Sequence, residues 1–252
     1  MKYMKRIALD GANNFRDLGG IPCGEKSTCW GKLYRSDSLA HLSEADLQKL
    51  EERNIKTVID LRSENEAKSA PLKLPAGAAY YHYNLMKELD SQVHGKERSV
   101  ETILKSMQLD YVKTIFGNME CGAGILREIR KGLERGAVVF LCSAGKDRTG
   151  ITAAMVLYLA GVKREDILAD YMISSVLNTD AMQKLIENFP IPEEYLAAIP
   201  DLLERVKTVM ESRPETMDAL LNAFNEKNLR AALADHGFGL EEQAALAELM
   251  TE

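Results

Sequence analysis

"AVVFLCSAGKDRTG", residues 137–150, sets an uncharged apolar run against a short polar loop. The run from Ala137 to Cys142 is rich in Val and Phe, the pattern of a strand covered on both faces, as strands of a parallel sheet are. Beyond the loop, "ITAAMVLYLAG" (151–161) is apolar nearly all round and predicts a buried helix. A buried strand, a glycine-containing turn and a buried helix make one unit of an α/β fold. The turn then lies at the strand's C-terminal end.

Outward from this unit the same alternation continues. "KLYRS" (32–36), "KTVIDL" (56–61) and "AAYYHYNL" (78–85) have the β-branched or aromatic character of strands. Between the first two, Ser43 with Asp46 three residues on predicts a capped helix start. Ile125, Leu126, Ile129 and Leu133 share one face of a helix over 122–135. Strands alternating with helices imply a layered α/β fold around a mainly parallel sheet. From residue 164 to the end the pattern is helical, with stripes at Leu202, Val206, Val209 and Met210 and at Leu220, Leu221 and Phe224. Pro190, Pro192, Pro200 and Pro214 punctuate it. No repeat or Gly/Ser linker divides the chain, so residues 1–252 are expected to form one domain, with 86–118 as an insertion or lid over one end of the sheet.

Composition narrows the class. With 46% hydrophobic and 6% aromatic residues, the core must be mainly aliphatic. A net charge of −6 argues against a general nucleic-acid binder, yet leaves room for a small basic pocket. No stretch approaches the ~20 apolar residues of a membrane span, and "MKYMKRIALDGANN" lacks a signal-peptide core. Four cysteines in 252 residues do not make a disulfide framework. Cys23, Cys29 and Cys121 read as reduced thiols of a cytoplasmic protein.

Cys142 reads differently. It ends the strand, faces Lys146, Asp147 and Arg148, and precedes the helix. Amides turned inward at a helix start form an anion site, and the same field favours a thiolate over a thiol. The loop amides of Ser143, Ala144 and Gly145, with the guanidinium fork of Arg148, suit the non-bridging oxygens of a phosphoryl group. Cys142 would attack phosphorus, and Asp147, inside the loop, would protonate the leaving oxygen. Asp60, ending the "TVIDL" strand, is the second choice of acid. The Thr149 hydroxyl could bond the Cys142 sulfur, and Lys146 adds positive charge beside the phosphate. Amides and arginine stabilise the charge without a metal or other cofactor.

"CSAGKDRTG" (142–150) resembles the signature loop of cysteine-dependent phosphatases, in the variant with Lys-Asp before the arginine. "NNFRDLGG" (13–20), "GKLYRSDSLAHL" (31–42), "VIDLRSENE" (58–66) and "GITAAMVLYLAGVKREDILADYMISS" (150–175) are similar, in order and spacing, to the atypical bacterial and fungal tyrosine phosphatases that also act on phosphoserine, phosphothreonine and phosphoinositides. The resemblance implies a tyrosine-phosphatase-like fold with a helical C-terminal half. It implies Cys142 as nucleophile, Arg148 as phosphate binder, Asp147 as acid and Lys146 as the residue favouring phosphoinositides. Arg16 and Asp17 would brace the loop, and Arg35, Asp37 and Arg62 would be structural. One position departs: the family's histidine before the nucleophile is Leu141 here.

The expected partners are a phosphorylated protein or a phosphoinositide, with phosphate, sulfate or vanadate held in the loop. A low-activity phosphate-binding module is the rival from another class, supported only by Leu141. A nucleotide P-loop fails because Asp147 stands where a Ser or Thr should follow the lysine. A dithiol redox site fails because no second cysteine lies two residues away.

Overall fold

The structure, a computed structural model, describes residues 5–86, 109–179, 201, 204 and 211–252. Seven strands are present among them: β1 (Arg16–Asp17), β2 (Pro22–Cys23), β3 (Lys26–Ser27), β4 (Leu33–Ser36), β5 (Ile55–Asp60), β6 (Ala79–His82) and β7 (Ala137–Leu141). The sheet order is β1-β4-β7-β5-β6, with β2 and β3 forming a separate hairpin. β4, β7, β5 and β6 run parallel, and only β1 is antiparallel, on the edge. β7 takes the centre because every one of its residues is buried.

Alternation along β7 divides the core. Val138, Phe140 and Cys142 face a large cluster shared with the C-terminal helices, including Phe224 and Leu246. Ala137, Val139 and Leu141 face a smaller cluster with Phe15, Tyr34, Leu42 and Leu50. Leu141 therefore fills an apolar layer, where a hydrogen-bonding ring would need a polar partner.

Nine helices cover the sheet among the described residues: α1 (Glu44–Glu52), α2 (Glu64–Ser69), α3 (Tyr111–Phe116), α4 (Met119–Leu133), α5 (Asp147–Leu159), α6 (Arg164–Leu177), α7 (Pro214–Glu226), α8 (Leu229–Asp235) and α9 (Leu240–Met250). Ser43 caps α1 as expected, its hydroxyl accepting from the Asp46 amide. α5 begins at Asp147, before the arginine rather than just past it. The expected strand over 78–85 is confined to Ala79–His82, and the Tyr83 amide closes the ladder by donating to the Asp60 carbonyl at 2.8 Å.

Within the segment expected to form a lid, residues 111–116 make α3, whose Ile115 is wholly buried in the large cluster. Residues 87–108 lie outside the described residues, as do Leu202, Val206, Val209, Met210, Pro190, Pro192 and Pro200. Among the described residues, no helix is long and apolar enough to cross a membrane.

Candidate active site

Parallel strands deliver their C-terminal ends to one edge, where ligands of α/β sheets bind. Ser36 and Asp60 flank Leu141 in register, so the loop after β7 emerges in the middle of that edge. Its carbonyls are tied from outside. Ser143 O accepts from the Ser38 amide at 3.1 Å. Ala144 O accepts from Asn14 Nδ2 at 3.0 Å and Asn178 Nδ2 at 2.8 Å. Gly145 O accepts from Asn14 Nδ2 at 3.1 Å and an Arg35 guanidinium nitrogen at 2.8 Å. In a trans peptide the N–H points opposite to the carbonyl it follows. The amides of Ala144, Gly145 and Lys146 are thereby turned inward.

Gly145 is required. Its φ is +65°, and a Cβ there would lie 2.6 Å from the Asp37 amide nitrogen and the Ser36 carbonyl oxygen. Lys146 follows as the N-cap of α5, which adds the N–H groups of a first helical turn.

The braces are themselves anchored. Asp170, on α6, is buried and takes Arg16 Nε on Oδ1 at 2.9 Å and Arg35 on Oδ2 at 2.6 Å. Arg16 also reaches Asn14, and Ser174 accepts from Arg16 at 3.1 Å. Burial alone would raise the Asp170 pKa, but Arg16 and Arg35 outweigh it and hold the carboxyl below its ordinary range. Burial, with Arg35 alongside, lowers Arg16 to about 10, which leaves it charged at neutral pH. Asp37 accepts from the amides of Asn13 at 2.9 Å and Asn14 at 3.0 Å, fixing the segment that carries Asn14.

Arg148 sits in the first turn of α5, mostly buried. Glu66 of α2 grips it with both oxygens, at 2.5 and 2.9 Å. Glu66 also accepts from the Ser143 hydroxyl and, as the third residue of α2, from the Ser63 amide at 2.8 Å. Burial disfavours the Arg148 charge, yet Cys142 and Glu66 raise its pKa above the ordinary value.

A buried cysteine ending the central strand, ringed by inward amides and an arginine of the following helix, is now defined by geometry. A model of the tyrosine phosphatase family matches residues 7–252. The chain belongs to that family. It is 29% identical over 229 residues, 84% of this chain and 79% of the other, to a protein of Cupriavidus necator named as a tyrosine-protein phosphatase. A tyrosine-protein phosphatase of Nostoc commune is 30% identical over 178 residues, 68% of this chain and 60% of that protein. The triple specificity protein phosphatase PtpB of Mycobacterium tuberculosis is 28% identical over 191 residues, 66% of this chain and 68% of its own length.

Against this family background, Cys142, Ser143, Ala144, Gly145, Lys146, Asp147, Arg148 and Thr149 stand together at the end of β7, as one loop and helix start must place them. Four details differ from the sequence reading. Asp147 is the first residue of α5, not a loop residue. Asp60 is fully buried and takes Arg62 on both oxygens, with the Tyr80 hydroxyl at 3.1 Å, so its acceptor sites are occupied. Thr149 donates to the Ser36 carbonyl at 3.4 Å, not to the Cys142 sulfur. Asp17 holds the amides of Gly19 and Gly31, each at 2.8 Å, rather than the loop. Lys146 is mostly buried, with its ammonium 3.3 Å from the Glu211 carbonyl and 3.5 Å from Asp147.

Glu66, Asn14, Asn178, Asp170 and Tyr111 were missed. Glu66 had a signal: Ser63 with Glu66 three residues on is a capping box immediately after a strand's C-terminal end. Asn14 and Asp170 lie within the quoted stretches 13–20 and 150–175, but nothing local shows that they reach the loop or its braces, and Asn178 and Tyr111 lie outside every such stretch.

Glu66 gives a pH prediction. Burial raises its pKa, but the Arg148 hydrogen bonds and charge, with Ser143, bring it down from 4.5 to about 2. A depressed carboxyl stabilises the fold fully above its unfolded value and loses that contribution as pH falls through the folded one. The wild type should therefore exceed Glu66→Gln in Tm at pH 6–7, with the gap closing between about pH 4.5 and 2. The side chain is 35% exposed, so the gap should correspond to no more than about 1 kcal/mol. Thermal melts of both proteins across that range would check it; a gap independent of pH would contradict it.

Proposed function

We propose that the chain is a phosphoric monoester hydrolase working through a cysteinyl-phosphate on Cys142. The supporting observation is the set of outward-tied carbonyls at Ser143, Ala144 and Gly145, which turns the amides that follow them to the opposite side, into the loop that Cys142 opens. Those amides and Arg148 would bind the non-bridging oxygens. The Cys142 thiolate forms an S–P bond as the P–O bond to the leaving group breaks, and Asp147 gives that oxygen its proton. A water then attacks phosphorus, passes a proton to Asp147, and the S–P bond breaks to return thiolate and phosphate. Asp147 is preferred to Asp60 because the Asp60 carboxylate is committed to Arg62.

Phosphotyrosine in proteins is the first substrate, with phosphoserine and phosphothreonine beside it. Phosphoinositides are the alternative within the same chemistry, for which Lys146 is the candidate contact. The four cysteines are free thiols, which fits a reducing, cytoplasmic setting.

The test is an acid-quenched reaction with a phosphotyrosine peptide, followed by peptide mapping, and phosphate release from phosphotyrosine, phosphoserine and phosphoinositide substrates. Phosphate on the Cys142 peptide is the expected result, and the substrate ranking chooses between the two readings. Turnover with phosphate never found on that peptide would count against the mechanism.

A further inference from the structure

We infer that Tyr111, with Tyr171 behind it, is a positioning residue that holds Asp147 by one carboxylate oxygen and leaves the other to deliver the proton. The inference rests on the assignment of Asp147 as the acid. Tyr111 Oη donates to Asp147 Oδ1 at 2.5 Å, and Tyr171 Oη stands 2.8 Å from Tyr111 Oη. A phenol has one proton. Since that of Tyr111 goes to the carboxylate, Tyr171 donates to Tyr111, and the order of the chain is fixed. Both rings are buried and meet edge to face, with centroids 6.0 Å apart and planes at 89°. Burial and the neighbouring Asp147 charge push the Tyr111 hydroxyl well up, so it keeps its proton at neutral pH.

The backbone accommodates this arrangement. A Cβ at Gly150 would lie 3.1 Å from the Tyr171 ring, so glycine lets that ring sit against α5 within one turn of Asp147. Lys146 also approaches Oδ1, at 3.5 Å. Both contacts fall on Oδ1, and Oδ2 is the oxygen assigned to carry the proton. Asp147 is about a third exposed at the protein surface. Unheld, a carboxyl there would sample several rotamers, and proton transfer depends on orientation.

A positioning role has a signature that a structural role lacks. Removing the Tyr111 hydroxyl should slow substrates in proportion to how much their leaving group needs a proton. With Tyr111→Phe, kcat/KM should fall about tenfold for phosphoserine peptide and an alkyl phosphate, but less than about twofold for p-nitrophenyl phosphate, whose leaving group needs no acid. Tyr171→Phe, which leaves the Tyr111–Asp147 bond in place, should show the same grading at about threefold. In an Asp147→Asn background Tyr111→Phe should cost nothing further, because the two act as a unit.

Equal losses on all substrates, or full additivity with an Asp147→Asn protein that itself shows the grading, would overturn the inference. Absence of grading in Asp147→Asn alone would instead remove Asp147 as the acid, and the inference with it.

Discussion

Cys142→Ser is expected to reduce phosphate release by about 10⁴–10⁶-fold, to the level of background, while the protein still binds phosphate. The substitution changes one buried atom at the end of β7 and leaves the loop braces in place. A hydroxyl is only rarely ionised near neutrality, so serine offers no nucleophile equivalent to a thiolate. Anion binding belongs to other groups, namely the inward amides and Arg148, and calorimetric phosphate affinity should stay within about threefold of wild type. Measured turnover above about 1% of wild type would mean that water attacks phosphorus directly and that the sulfur is not the nucleophile. Loss of phosphate binding together with turnover would mean that the serine protein has lost its loop, which a thermal melt would show.

How much of this was legible beforehand follows from the range of the interactions. β7, its loop and α5 are consecutive in sequence, so the apolar run, the small loop residues and the buried helix singled out Cys142 and Arg148 together as candidates. β4 and β5 were equally readable, because β-branched and aromatic residues cluster there. What failed was pairing across distance. Asp60 ends a strand at the correct edge, and only the fold reveals that Arg62, two residues on, curls back and occupies it. Thr149 follows Arg148 in sequence, but the helix rotates its hydroxyl toward β4. Tyr111 meets Asp147 from 36 residues away, across a segment with no pattern that points to the loop. Leu141 looked like a defect when read as a missing histidine, and the second core cluster supplies its reason.

Asp170→Asn tests whether the loop's geometry is held by buried charge. The side chain keeps its volume but loses the carboxylate that, among the described residues, bonds both Arg16 and Arg35, whose own side chains are 0% and 1% exposed. Two guanidinium groups would then share a water-poor space without the carboxylate that bonds them both, the case in which breaking a buried pair costs about 3–5 kcal/mol. For a domain of this size that corresponds to a Tm lower by about 6–20 °C. Because Asp170 is ionised well below the ordinary carboxylate range, its contribution is complete above about pH 4 and disappears only as pH falls through the depressed folded value. The Tm gap between wild type and Asp170→Asn should therefore be constant from pH 8 to about 4, as that of Glu66→Gln is down to about 4.5, but several-fold larger. Activity should fall even at temperatures where the variant is folded, since Arg35 and Asn14 would no longer be fixed against Gly145 O and the loop amides would lose their common aim. A gap of only a degree or two, with activity intact, would mean that the arginines find their counter-charge elsewhere and that the hydrogen bonds to the loop carbonyls hold without Asp170.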